Sequence, residues 1–206
     1  SFLDFAGVSP CKLAEEDTMA PPNFPHNKEI TGWLLTLTAT EEFLPVIHLG
    51  VEKVGHSQNV YAMLMGDCTG EQAIHKTIVP GLDLVPSTVH LSGAEIELVP
   101  AFSREYKLRE ALEPLKAQYD YIFIDCPPSL GLLTINALTA ANRYLVPLQA
   151  EFFALEGVSQ LLSSVNLVKG RLNTELESMG VLMTMVDSRN NLSKQVEQEV
   201  RNYFGE

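Results

Sequence analysis

The residues best placed to do chemistry follow a short apolar run near the middle of the chain. Tyr121-Ile-Phe-Ile124 is followed at once by Asp125, and then by Pro127 and Pro128. A continuous apolar run of this length predicts a strand buried on both faces, with Asp125 at the carboxyl edge where parallel sheets bind ligands. The two prolines would stop the strand and fix the path of the following loop. A structural strand that merely ends in aspartate before a turn fits this segment equally well.

The surrounding sequence alternates between strand and helix patterns from Asn59 onward. Apolar spacing and a capping-box signal predict helices and strands in turn. Such alternation indicates an α/β fold with a doubly wound, mostly parallel sheet flanked by helices. The predicted helices are Val60–Met65, Ser92–Val99 (capped by Ser92 and Glu95), Arg104–Gln118, Leu130–Ala141, Leu155–Leu172 and Ser193–Tyr203, and the predicted strands are Leu82–Val85, Tyr121–Ile124, Tyr144–Leu148 and Val181–Val186.

Residues 1–48 differ in kind from residues 49–206, which we interpret as one α/β domain. The first part contains Pro21, Pro22 and Pro25 among scattered charges, without helical or strand periodicity, and this pattern favours loop or disorder. Leu34–Thr38 is a strand candidate there, although Pro45 soon interrupts the pattern.

The overall composition of the chain argues against several functional classes. The 206 residues carry 14 basic and 26 acidic side chains, a net charge of −12, which disfavours strong unaided binding to DNA. Three cysteines without a Cys-x-x-Cys pair predict neither a zinc site nor a disulfide framework, and fit a reducing cytosol. No apolar run reaches the roughly 18–20 residues that a membrane-spanning helix needs.

A series of segments favours the ligand-binding interpretation of Asp125 over the structural one. It closely resembles the ParA/Soj partition ATPases, of the deviant Walker A group that also includes MinD and the nitrogenase iron protein. The resemblance extends from about Leu49 to Glu206. Its segments are Gly81-Leu-Asp-Leu-Val-Pro-Ser87, Leu91-Ser-Gly-Ala-Glu-Ile-Glu-Leu98, Ser103-Arg-Glu-Tyr-Lys-Leu-Arg-Glu-Ala-Leu112, Ile124-Asp-Cys-Pro-Pro-Ser-Leu-Gly131, Phe153-Ala-Leu-Glu-Gly157 and Thr184-Met-Val-Asp-Ser-Arg-Asn-Asn-Leu-Ser193.

This resemblance implies a fold like that of the P-loop nucleotidases, and roles for individual residues. Asp125 matches the Walker B aspartate, which holds Mg²⁺ beside ATP directly or through water, and Pro127 and Pro128 match the start of the second switch loop. Arg189 matches an arginine associated with nonspecific DNA binding, and a solvated loop arginine is an equally good interpretation. For Gln149 and Glu151, just past a predicted strand end, we expect structural hydrogen bonding.

The resemblance also implies partners and a place in the cell. The family forms ATP-dependent homodimers, binds DNA without sequence preference and works with a centromere-binding partner of the ParB/Spo0J type. We therefore expect a cytoplasmic, nucleoid-associated protein with no membrane contact.

The chain departs from the family at its amino-terminal side. The family begins with a strand and a Lys-Gly-Gly-Val-Gly-Lys-Thr-Thr loop that holds the phosphates, but this sequence contains no Gly-Lys dipeptide. Thr38 and Thr40 stand where the aspartates of the family's Asp-x-Asp-Pro-Gln-Gly-Asn motif belong. A shift of reading frame upstream is one explanation, since Leu37–Thr40 is what a one-nucleotide shift can make of Ile-Asp-Cys-Asp. We predict that the first strand and phosphate loop are missing or replaced.

Three functions follow from these observations. The first is a chromosome or plasmid partition ATPase. The second is a catalytically inactive remnant that serves only as an interaction module, and the third is a MinD-like division-site ATPase. Because the lysine loop is missing from this sequence, we predict that the polypeptide as written neither hydrolyses ATP nor binds it tightly.

Overall fold

The computed structural model describes residues 32–36, 49–51, 57–126, 131–149, 154–186, 189 and 191–204. Its strands are β1 (Gly32–Thr36), β2 (His75–Lys76), β3 (Leu82–Val85), β4 (Tyr121–Asp125), β5 (Arg143–Gln149) and β6 (Glu177–Thr184). Its helices are α1 (Val60–Met65), α2 (Leu91–Glu97), α3 (Lys107–Leu112), α4 (Leu132–Ala140), α5 (Ala154–Arg171) and α6 (Asn191–Phe204). Short 3₁₀ turns precede and follow α3 at Arg104–Tyr106 and Glu113–Leu115.

The chain divides into two compact units. One contains residues 1–92 and 113–125, and the other contains residues 93–112 and 126–206. The described part of the first unit holds β1 to β4, and the second holds β5 and β6. All six strands but β2 run parallel to a neighbour, and helices separate most of them, so the predicted α/β class with a mostly parallel sheet is confirmed.

In the first unit the strands lie in the order β2-β3-β1-β4. β1 is an interior strand, parallel to β3 on one side and to β4 on the other. Gly32 pairs with both Leu82 and Tyr121, and Thr36 at its end pairs with Asp125. The strand candidate in the amino-terminal region is therefore a strand, beginning two residues earlier than predicted, while residues 37 and 38 lie outside the described part.

In the second unit β5 and β6 are parallel, and two helices contribute to their core. Val146 and Leu148 of β5 pack in one buried cluster with Val158 of α5 and with Val196 and Val200 of α6. The apolar positions of α6 recur at helical spacing, so one face enters this core and the rest remains polar.

Two predicted elements are corrected by the structure. The single helix expected over Arg104–Gln118 ends as α-helix at Leu112, because Pro114 cannot donate a backbone hydrogen bond and the chain tightens into a 3₁₀ turn. The strand expected over Val181–Val186 ends at Thr184, and Val186 lies beyond it, exposed.

The burial of β4 also differs from the prediction. We expected both faces to be buried, but Tyr121 is 38% and Phe123 56% exposed. These two rings occupy alternate positions on one face of the strand and stack on each other, with centroids 6.1 Å apart and planes at 22°. The apolar run therefore reflects one inward face and one aromatic outer face.

Candidate functional site

Asp125 is the last residue of β4, at the carboxyl end of a parallel strand, as predicted. It is partly buried, and its register partner on β1 is Thr36. The ends of β1 and β4 therefore lie side by side at one edge of the sheet. Pro127, Pro128, Thr38 and Thr40 lie outside the described residues.

This edge has one of the two chemical features that the family requires. A carboxylate at a strand end is a hard oxygen donor of the kind that Mg²⁺ prefers, and Mg²⁺ commonly keeps waters between itself and the protein. Within the described segments, no three histidine, cysteine, aspartate or glutamate side chains form a cluster that could hold a metal. Asp125 supplies one carboxylate at this edge, whereas the sequence contains no Gly-Lys dipeptide.

The second unit has its own carboxyl edge, formed by β5 and β6. Gln149 ends β5 opposite Thr184, which ends β6, and the Thr184 hydroxyl donates to the carbonyl of Leu148 at 3.3 Å. Gln149 is partly buried, and the structural hydrogen bonding expected for it stays a prediction. Arg189 is exposed in a turn between β6 and α6, and Glu151 lies outside the described residues.

Helix α4 begins seven residues after Asp125 in sequence, and three side chains from different parts of the second unit hold this helix. Glu95 of α2 contacts its amino-terminal end, where Oε1 accepts a hydrogen bond from the amide of Leu133 at 3.4 Å. Asn173 contacts its carboxyl-terminal end, donating to the carbonyls of Leu138 and Ala141 at 2.9 and 2.7 Å. These contacts satisfy backbone groups that a helix leaves without partners at its ends.

The third side chain, Asn136, belongs to α4 itself and is fully buried. Its Oδ1 accepts from the amide of Leu108 at 3.1 Å, and its Nδ2 donates to the carbonyls of Arg104 and Leu132 at 2.8 and 3.0 Å. The amide thus fixes the start of α3 against α4. A buried carboxamide with both ends satisfied stabilises one arrangement of the chain, since any other would leave polar atoms unpaired.

The sequence patterns did not predict these hydrogen bonds. The capping-box pattern predicted that Ser92 and Glu95 close the start of their own helix. The structure contradicts this, because α2 begins at Leu91, the Ser92 hydroxyl donates to the carbonyl of Val89, and Glu95 reaches α4 instead. Asn136 left a signal that could have been used, namely a carboxamide inside the apolar stretch Thr134-Ile-Asn-Ala-Leu138.

A second buried polar group lies in the first unit, on β3. Asp83 accepts hydrogen bonds at 2.7 Å from the Tyr119 hydroxyl and from the exposed Lys76 ammonium. Burial and the adjacent Asp83 carboxylate raise the pKa of Tyr119 above its usual range, so the phenol stays a donor. This group joins β2, β3 and the segment before β4, and we assign it to stability.

Comparison with known proteins identifies the family. A family model described as "AAA domain" matches residues 42–178. The sporulation initiation inhibitor protein Soj of Bacillus subtilis is 56% identical over 156 residues, which are 76% of this chain and 62% of Soj. The chromosome partitioning protein ParA of Myxococcus xanthus is 51% identical over 156 residues, 76% of this chain and 55% of that protein.

The chain belongs to the ParA/Soj family of partition proteins. It spans about three fifths of the length of the curated relatives that it matches. A crystal structure of cobyrinic acid a,c-diamide synthase from Mycobacterium smegmatis, with an ATP analog and magnesium bound, is 36% identical with a TM-score of 0.78. The match covers 85% of this chain and 71% of that one, and it confirms the nucleotidase-like α/β fold of this ParA/Soj chain. No described helix of this chain is long and apolar enough to cross a bilayer.

Proposed function

We propose that this ParA/Soj chain functions in chromosome or plasmid partition. It would supply the Walker B aspartate, Asp125, of a magnesium-dependent ATPase. The observation that carries the proposal is Asp125, which ends a parallel strand within the Ile-Asp-Cys-Pro-Pro segment typical of the family. When bound there, Mg²⁺ would neutralise charge on the nucleotide phosphates. The part played by this chain is to hold the carboxylate at the sheet edge.

The proposal extends to partners and location. With its phosphate loop restored, the ATP-bound form would be, as in the family, a homodimer that associates with nonspecific DNA and is released by a ParB/Spo0J-like partner, in the nucleoid-occupied cytoplasm. Arg189 is the candidate DNA contact, since it is exposed in the turn before α6. The net charge of −12 means that such binding needs positive surface assembled from more than one chain or segment.

The experiment restores the phosphate loop. Residues 1–48 are replaced by a family segment carrying the first strand, the Lys-Gly-Gly-Val-Gly-Lys-Thr-Thr loop and the Asp-x-Asp-Pro-Gln-Gly-Asn motif. We expect this loop-restored chimera to hydrolyse ATP with Mg²⁺. Asp125→Asn should lower kcat about 100-fold, as loss of a metal-associated carboxylate does. Asp120→Asn, at the residue just before the same strand, should change kcat less than about twofold.

Two results would overturn the proposal. One is a chimera that unfolds cooperatively, and so is folded, but does not bind Mg-ATP. The other is an Asp125→Asn chimera as active as its Asp120→Asn control, because the β4 carboxylate would then have no part in the reaction.

A second candidate function is favoured by one observation, the lack of a Gly-Lys loop in the sequence. On that interpretation the unaltered chain is an interaction module without nucleotide chemistry. It should then bind a ParB/Spo0J-like partner with equal affinity in the presence and absence of Mg-ATP.

A further inference from the structure

Helix α2 and the turn that follows it carry large apolar side chains on the solvent side. Ala94 and Leu98 are buried, four residues apart, and they mark the inner face of the helix. Ile96 and Val99 lie on a different part of the helical surface and are 76% and 55% exposed. A surface helix normally presents charged or polar residues to the solvent, so this second apolar face indicates a function other than the packing of α2.

The exposed apolar row continues to Phe102, which is 91% exposed. The chain keeps winding up to that residue, since the amide of Val99 donates to the carbonyl of Ile96 at 3.2 Å and the amide of Ala101 donates to the carbonyl of Leu98 at 2.9 Å. Ile96, Val99 and Phe102 therefore follow one another at intervals of three residues, and we call them the α2 ridge. A row with this spacing is one of the ridges that pack into the grooves of another helix.

Two features hold the backbone of the α2 ridge in place. Nη1 of Arg104 donates to the carbonyl of Val99 at 2.7 Å, while its Nε donates to the carboxylate of Glu105 at 2.9 Å. Ser103, directly after Phe102, has a φ of 51°, a left-handed conformation that is costly for a residue other than glycine. Strained residues of this kind persist where the surrounding structure holds them, and they are concentrated at functional sites. The ridge is therefore a fixed surface.

The size of the α2 ridge limits what can cover it. Its three side chains expose roughly 400 Å² of apolar surface, whereas each partner contributes about 800 Å² to a stable protein–protein interface. An area of this size fits one side of a single helix better than the interface of a stable dimer. A second copy is further disfavoured because each chain has a net charge of −12, and like charges repel.

The charge around the α2 ridge indicates the charge of the partner. Residues 91–106 contain three carboxylates, Glu95, Glu97 and Glu105, and one cation, Arg104. The cation lies 2.9 Å from Glu105, so its charge is balanced by that carboxylate. The net negative charge of this segment disfavours nucleic acid or an anionic lipid surface as the occupant, and it favours lysine and arginine.

We propose that the α2 ridge is a docking surface for a basic amphipathic helix of a partner protein. The apolar residues of that helix would cover Ile96, Val99 and Phe102, and its lysines or arginines would face the carboxylates beside them. This docking requires neither Asp125 nor nucleotide, so the unaltered chain is sufficient to test it.

The probe is a fluorescent peptide of about 18 residues, with leucines along one helical face and lysines at the other positions. Fluorescence anisotropy with the full 206-residue chain should show saturable binding with a micromolar Kd. Phe102→Ser and Ile96→Ser should each raise the Kd about tenfold or more, because each removes an apolar contact from the centre of the interface.

Leu167→Ser is the matched control, since Leu167 is 58% exposed on α5 and lies outside the α2 ridge. It should change the Kd less than about twofold. The replaced side chains are exposed in all three variants, so each variant should keep the urea midpoint of the unaltered chain.

A second peptide, with glutamates in place of the lysines, tests the charge of the partner. It should not bind, and binding of the lysine peptide should weaken as the salt concentration rises. The lysine peptide should also slow amide hydrogen exchange at Val99, Ala101 and Phe102, which would locate the contact on the α2 ridge.

Four results would overturn the proposal. The first is the same Kd for Phe102→Ser and Leu167→Ser, and the second is equal binding of the lysine and glutamate peptides. The third is a lack of saturable binding of the lysine peptide up to about 1 mM. The fourth is a dimer in sedimentation that Phe102→Ser dissociates, because the ridge would then belong to an interface with a second copy of this chain.

Discussion

Helix α4 and strand β1 illustrate two kinds of contact that place an element within its unit. Three side chains hold α4 through hydrogen bonds to backbone groups, namely Glu95, Asn136 and Asn173. β1 is held by backbone pairing, in register with β3 on one side and β4 on the other. Many β-prone pentapeptides can supply such pairing, whereas few side chains can replace a buried carboxamide.

The two regions also differ in how their sequences relate to the family. Thr38 and Thr40 follow β1 at positions where the resemblance implies the aspartates of the family motif. Around α4 the family-like segments occur together, including Ser92-Gly-Ala-Glu95 and the segment that begins at Asp125. Since strand pairing accepts many side chains, β1 can form whichever residues stand at positions 38 and 40.

The largest expected effect comes from breaking the backbone pairing of β1. Leu34→Pro removes an amide donor from a strand paired on both sides, so a ladder hydrogen bond is lost whichever way that amide points. We expect a loss of about 3 kcal/mol or more in the free energy of unfolding, measured by urea denaturation.

Leu34→Val is the control for this change, because it keeps both the amide and a β-prone side chain. It should cost less than about 1 kcal/mol. Equal stability of the proline variant and the unaltered chain would show that β1 does not depend on its pairing with β3 and β4.

The next largest effect should come from Asn136. Asn136→Leu leaves the amide of Leu108 and the carbonyl of Arg104 without the partners they have now, inside a buried site. We expect a loss of about 2–3 kcal/mol, seen as a lower urea midpoint with an unchanged slope. Asn202→Leu, on the exposed side of α6, should change stability by less than about 0.5 kcal/mol. Similar values for the two variants would contradict the role assigned to Asn136.

A smaller effect is expected at Asp83, a buried carboxylate of the first unit that accepts hydrogen bonds from the side chains of Tyr119 and Lys76. Tyr119→Phe removes the hydrogen bond to the Asp83 carboxylate and should cost about 1 kcal/mol at neutral pH. The pKa of Tyr119 is raised in the folded state, so its stabilising contribution is complete below the unfolded value of about 10 and declines as the pH rises further.

The difference in stability between the unaltered chain and Tyr119→Phe should therefore be constant up to about pH 9 and shrink at higher pH. Unfolding in urea at a series of pH values measures it. A difference that grows with pH would mean that the pKa of Tyr119 is lowered by folding, against the contact with Asp83.

The spacing of apolar residues predicted most of the helices and strands, because each of these elements carries the pattern within its own sequence. α1 and β3 have the predicted bounds, and α4, α5 and α6 differ by one or two residues at each end. The helix over Arg104–Gln118 was wrong in its second half, since apolar spacing outweighed the break that Pro114 imposes. The division of the chain near residue 49 stays a prediction.

The contacts around the site were harder to predict from local sequence patterns. Asp125 could be predicted because a strand end is a local feature, whereas Glu95 contacts a residue 38 positions away. A local rule assigned its carboxylate to its own helix, and only tertiary packing shows that it serves α4. The roles of Pro127, Pro128 and Arg189 rest on resemblance to the family and stay proposals.

The central proposal is that Asp125 supplies the magnesium-associated carboxylate of a partition ATPase, in a sequence that has no Gly-Lys loop to hold the phosphates. The most direct test is calorimetric titration of the 206-residue chain with Mg-ATP, followed by an assay of phosphate release. We predict no saturable binding in the micromolar range and no turnover above buffer. Saturable micromolar binding with turnover, both lost in Asp125→Asn and kept in Asp120→Asn, would contradict the claim and require a phosphate site within these residues.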